Sequence, residues 1–194
     1  MVEKRKKSNN RRRAILILIL LILSLFVLSQ LNWFWRMIYP LEYEDIIKFN
    51  ACKYDLDPNL VAAIIFVESK YISTATSYRG AIGLMQIMPD TGKWIAEQLR
   101  YTEFREERLL DPKVNILFGC WYLSNLNEQF DDELVVVLAA YNAGRGNVKK
   151  WLDSEWIGKD TSLKNLPFSE TRNYIKQVLS VYEKYKKIYN IELR

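Results

Sequence analysis

Apolar and polar positions divide the chain into three stretches. Residues 1–13 are polar and basic, residues 14–35 (AILILILLILSLFVLSQLNWFW) are almost wholly apolar, and from Pro40 onward apolar residues recur at helical spacing. The middle stretch matches the ~20 residues that cross a hydrocarbon core as a helix. Trp33, Phe34 and Trp35 stand where an aromatic belt meets the far interface. A cleaved signal peptide would also begin with basic residues and an apolar run. No small-x-small cleavage site follows this one, however, and no lipobox cysteine is present, which favours a retained anchor. The expected topology is a cytoplasmic basic segment (1–13), a single-pass transmembrane signal anchor (14–36) and a domain (41–190) that is extracytoplasmic from about residue 38 onward.

Beyond Pro40 no alternating strand pattern competes with the helical one, so the domain is expected to be all-α, a compact bundle of short helices. Leu41 to Tyr54 reads as a short amphipathic helix. Asp57-Pro58 and Asp111-Pro112 are start signals, the aspartate as cap and the proline at the first helical position. The first opens a helix ending near Lys70, with Leu60, Val61, Ile64, Ile65 and Val67 on its buried face, and the second opens Lys113 to Asn127. Pro89 starts another helix. Asp131 or Asp132 opens Glu133 to Asn142, which stops at Gly144, and a last helix runs from about Glu170 to Tyr189 with Val178, Val181, Tyr182 and Tyr185 inward. EFREERLL is expected to be a solvated helical face and YEKYKKIY a solvated helix with a tyrosine-lined inner side.

Composition narrows the chemistry. The chain has no histidine, which excludes a Ser-His-Asp triad, a Cys-His pair and a histidine-rich zinc site. The net charge of +5 suggests nucleic acid only until it is located: residues 1–13 hold seven Lys/Arg against one acid, leaving −1 for the rest. A nearly neutral domain has no basic face for a phosphate backbone, so no nucleic-acid partner is expected. Cys52 and Cys120 lie where oxidation is permitted, but both fall in helical segments and read as free structural thiols. No EF-hand-like acidic loop is legible, and neither metal nor cofactor is expected.

Glu68 follows an apolar run, four residues after Ile64 and three after Ile65. Helical spacing sets it above the stripe facing the core, where desolvation would raise its pKa toward what a general acid needs at neutral pH. The helix alone leaves open whether the carboxyl stays there or reaches solvent. The following loop, SYRGAIGLMQIMPD, offers Gly80 and Gly83 for close backbone approach and Gln86 as donor and acceptor, which suits a sugar. Read alone, it also fits a tight turn with Met85 and Met88 in the core.

Three segments, ESKYISTATSYRGAIGLMQIMP, AAYNAGRGNV and LPFSETRNYIKQV, resemble in order and spacing the signature segments of the soluble-lytic-transglycosylase catalytic domain, a lysozyme-like family that cleaves peptidoglycan. The resemblance covers about residues 45 to 188 and implies a lysozyme-like fold with a glycan-binding groove. Carried over by motif, it implies Glu68 as the single catalytic acid/base. It implies further that Ser77, Gln86 and Met88 line the sugar groove, that Tyr141 and Asn142 face the glutamate, and that Glu170 is a site-lining carboxylate. The family often has proline after the AYNAG glycine, where this chain has Arg145. The implied reaction cleaves the β-1,4 bond between N-acetylmuramic acid and N-acetylglucosamine and closes a 1,6-anhydro ring. The muramic C6 hydroxyl would replace water, so no second carboxylate is required. A hydrolytic muramidase on the same scaffold and a non-catalytic wall-binding or assembly protein are the alternatives. The expected partners are peptidoglycan strands and the membrane.

Overall fold

The structure is a computed structural model that describes residues 15–25, 27, 33–158 and 166–191. The chain divides into two units, residues 1–40 and 41–194. In the first, residues 15–25 and 33–38 are helical, with Ile15 to Leu23 exposed all round. The basic segment 1–13, and residues 14, 26 and 28–32 of the expected anchor, lie outside the described residues. Among the described residues no helix is long and apolar enough to cross a membrane.

The second unit is helical: α1 (Glu44–Lys53), α2 (Pro58–Ser69), α3 (Pro89–Leu99), a 3-10 turn (Glu106–Leu110), α4 (Pro112–Gln129), α5 (Leu134–Ala143), α6 (Arg145–Asp153) and α7 (Ser169–Ile188). The only β-pairings among the described residues are isolated bridges, Thr76 with Ile82 and Ile82 with Ile87. Both Asp-Pro signals act as read. Asp57 accepts from the Asn59 backbone N–H at 2.7 Å and Asp111 from that of Lys113 at 2.9 Å, each satisfying a donor the first helical turn leaves orphaned. Asp57 also accepts from the Tyr182 hydroxyl, so one carboxylate caps α2 and ties it to α7.

α2 is the core of this unit. Val61 to Ile65 are fully buried and Leu60 and Phe66 nearly so, which makes the helix apolar all round rather than on one stripe. α7 packs along it and α1 covers another side. The expected buried face therefore needs correction: Ala62, Ala63 and Phe66 are inside as well, whereas Val67 is half-buried. Each fully buried isoleucine there stabilises the fold by roughly 1.5–3 kcal/mol. α5, buried from Val136 to Ala140, packs against α4, α6 and α7.

One local reading needs correction. EFREERLL is largely exposed, as expected, but Glu106–Leu110 forms a 3-10 turn rather than an α-helical face, and Leu109 is fully buried. RGNVKKWLD is a helix that the pattern does not announce, because only Val148 and Trp151 turn inward. Gly144, at φ 89°, ends α5 and admits α6 at once, in a left-handed conformation that disfavours side chains. Cys52 is exposed, Cys120 is buried, and both are free.

Candidate active site

Glu68 is the penultimate residue of α2. The residue keeps some exposure, but its carboxyl is deeply desolvated and its pKa rises from 4.5 to about 7. Burial is the larger cause, opposed by the Tyr174 hydroxyl, which favours the charged form. Among the described residues no second carboxylate and no cation acts on it. Of the two positions the helix leaves open, the structure takes the one above the core.

Two tyrosines face this carboxyl, one buried (Tyr174) and one half-buried with its phenol desolvated (Tyr141). Tyr141, from α5, and Tyr174, from α7, both have phenols held well above their usual pKa, first by burial and then by the charge of Glu68. Tyr141 Oη donates to the Met85 carbonyl at 2.9 Å. The Tyr174 hydroxyl is buried and, among the described residues, acts on the Glu68 carboxyl and on no other partner.

The loop after α2 is pinned from beneath. Ser69 Oγ lies 2.9 Å from the Leu84 carbonyl and 3.1 Å from that of Ile65. Asn115, fully buried on α4, accepts from Met85 N–H at 2.7 Å and donates to the carbonyls of Ile82 and Leu109 at 2.9 and 2.8 Å. Gly83, at φ 79°, sits so close to this asparagine that a β-carbon would fall 2.3 Å from its amide nitrogen. Met85 is fully buried, and Gly119 of α4 makes room for it, since a β-carbon there would meet Met85 Sδ at 2.1 Å. Met88 is 42% exposed, so of the two methionines only Met85 is core.

The remaining sequence-selected residues divide between floor and rim. Gln86, in a left-handed conformation (φ 48°), commits its Nε2 to the carbonyls of Gly83 and Ala75 at 2.8 and 3.2 Å, leaving Oε1 as its open polar atom. Ser77 Oγ accepts from the Ala81 N–H at 2.9 Å and keeps its own proton to donate. Asn142 is half-buried beside Tyr141. Glu170 does not share the buried floor: it lies in the first turn of α7 and is paired with Arg79 at 3.2 Å on an exposed edge, where it ties the loop to the helix. Tyr174 was missed, although it lies four residues after Glu170, the spacing that stacks side chains on one helix face. Asn115 was missed too; its signal was a lone polar residue inside the apolar run VNILFGC.

The Transglycosylase SLT domain family matches residues 45–162, and the chain belongs to this family. It is 36% identical over 150 residues to the soluble lytic murein transglycosylase of Salmonella typhimurium, covering 76% of this chain and 23% of that protein. It is 29% identical over 166 residues to the membrane-bound lytic murein transglycosylase C of Actinobacillus pleuropneumoniae, covering 74% of this chain and 46% of that protein. The chain thus spans less than half the length of these relatives. Among solved structures it is similar to an inactive mutant of the lytic transglycosylase Slt from Pseudomonas aeruginosa, with a TM-score of 0.73, 34% identity, and coverage of 80% of this chain and 26% of that one.

Proposed function

We propose that the chain is a peptidoglycan lytic transglycosylase that cuts the β-1,4 bond between N-acetylmuramic acid and N-acetylglucosamine and leaves 1,6-anhydromuramic ends. The observation that carries this reading is a carboxyl, Glu68, with a pKa of about 7 and, among the described residues, no second carboxylate acting on it. A group poised near neutrality gives up a proton and takes one back at little cost. Protonated Glu68 donates to the glycosidic oxygen as the bond from C1 breaks, the electron pair leaving with that oxygen. The muramic C6 hydroxyl then bonds to C1 while Glu68, now a carboxylate, accepts its proton. No water is consumed, and the internal nucleophile has a high effective concentration, so the chemistry calls for no metal or cofactor.

Around this centre, Tyr141 and Asn142 face the reacting sugar. Ser77, Gln86 and Met88 line the groove, with the Ser77 hydroxyl and Gln86 Oε1 as the groups available to it. Glu170 borders the groove through its pairing with Arg79. The domain spans 41–190 and works outside the cytoplasm, held by residues 14–36 as a single-pass anchor with residues 1–13 inside. Support for the anchor is the apolar run behind a basic cluster, together with the likeness to a membrane-bound relative. Protease added to intact wall-stripped cells should digest the domain; a product starting after residue 30 and found wholly in the medium would overturn the anchor.

Mass analysis of muropeptides released from purified wall by residues 38–194 tests the reaction. Anhydromuramic ends without new reducing sugar are expected. Reducing muramic ends would make the protein a hydrolase, and strand binding without release would make it a wall-binding protein.

A further inference from the structure

A row of half-buried rings leads away from Tyr141. The Tyr122 ring centroid is 5.7 Å from that of Tyr141, Trp94 is 6.2 Å from Tyr122, and Trp121 is 5.2 Å from Trp94. Over the third ring of the row, the guanidinium carbon of Arg145 stands 4.0 Å from the Trp94 ring centroid. Arg145 is the first residue of α6, delivered there by the left-handed Gly144 only three residues after Asn142. Its charge also reaches Tyr122, the ring next to Tyr141.

The contact with Trp94 consumes none of the five N–H donors of the guanidinium. Among the described residues Arg145 forms no ion pair and no side-chain hydrogen bond. Asp90 and Glu97, about one turn to either side of Trp94 on α3, do not meet it. Lys149, four residues on, puts a second, exposed cation on the same face of α6. A guanidinium held over an indole, with its fork unused, is available to a bidentate carboxylate.

We propose that Arg145 is a specificity residue that binds a carboxylate of the peptide stem carried by the substrate. This rests on the peptidoglycan reading: the sugars of the strand are otherwise uncharged, and the stems hang from the muramic residues at which the bond is cut. The aromatic row offers the sugars a neutral surface, and Arg145 with Lys149 marks where an acidic branch leaves it.

The test uses full-length protein and strands whose stem carboxylates are either free or amidated. Wild-type kcat/KM should be about tenfold higher on the free-acid strands, the order expected for one charge-assisted bond. Arg145→Ala should bring the two substrates within about twofold of each other, with Arg145→Lys in between because it keeps the charge and loses the fork. Strands stripped of stems, which retain only the lactyl carboxylate, should behave like the amidated ones; if they match the free-acid strands, the bound group is the lactyl acid and the inference fails. An unchanged free-acid to amidated ratio in Arg145→Ala overturns it directly. Should wild-type protein cleave neither substrate, the enzymatic reading fails instead, and the ratio of affinities for the two strands, read by co-sedimentation, still decides the role of Arg145.

Discussion

Two carboxylates sit on the two helices that pack along one another, Glu68 near the end of α2 and Glu170 in the first turn of α7, and their surroundings are opposite. Among the described residues Glu68 meets two desolvated phenols and no cation, and its pKa climbs to about 7. Glu170 has a side chain 64% exposed and meets Arg79 and water. The same functional group is thus desolvated at the floor and ion-paired in the open at the rim. What separates them is the medium each occupies, because taking a carboxylate out of water without a counter-charge penalises the ionised form.

Replacing each by its amide exposes the contrast most sharply. Glu68→Gln keeps size and much of the hydrogen bonding but carries no transferable proton, so release of muropeptides should fall by at least ~10²-fold while the fold survives. A Gln variant near wild-type turnover would remove Glu68 from the mechanism.

The second way to break the comparison is pH. Glu68 titrates near 4.5 in the unfolded chain and about 7 in the folded one, so the native state holds the proton more tightly. Its contribution to stability is complete below pH 4.5 and is lost as pH rises through 7. Across that window wild-type protein should lose about 3 kcal/mol relative to Glu68→Gln, measured by urea unfolding. Parallel curves would mean the carboxyl is solvated. Activity should decline above pH 7 for the same reason, since the acid form initiates cleavage.

Tyr174→Phe tests the floor more finely. The Tyr174 hydroxyl lowers the pKa of Glu68, so its removal should move the alkaline limb of kcat/KM to higher pH. Stability should change by no more than about 1 kcal/mol, the net worth of one hydrogen bond. An unmoved limb would show that burial alone sets the titration.

The smallest effect belongs to the rim. Glu170→Gln removes an exposed ion pair that salt already screens, so the thermal midpoint should stay close to wild type. Its loss of turnover should be far below that of Glu68→Gln. A comparable loss would bring Glu170 into the reacting centre.

Much of the helical frame was legible. Asp57-Pro58 and Asp111-Pro112 cap the helices they announce, Gly144 ends α5, and the long amphipathic α7 falls within a residue of its expected bounds. These features depend on contacts within about four residues, so they are written in local order. α6 and the 3-10 turn were not legible. Val148, Trp151 and Leu109 are too few to make a periodic signal, and it is α5 and α4 that bury them.

The site divides the same way. Motif resemblance pointed to Glu68, Gln86 and Tyr141, but not to how their side chains are seated. Gln86 turns its amide into the loop, Met85 and Met88 part company, and Glu170 lies at the edge, because Asn115 and Gly119, far along the chain, determine how the loop is seated. The sequence by itself determined where α2 begins, that it runs apolar, and that a carboxyl follows. Only the tertiary structure decided that this carboxyl is desolvated to a pKa of about 7, because its burial is completed by packing that no local pattern encodes, with Tyr141 from α5 and Tyr174 from α7 brought to face it.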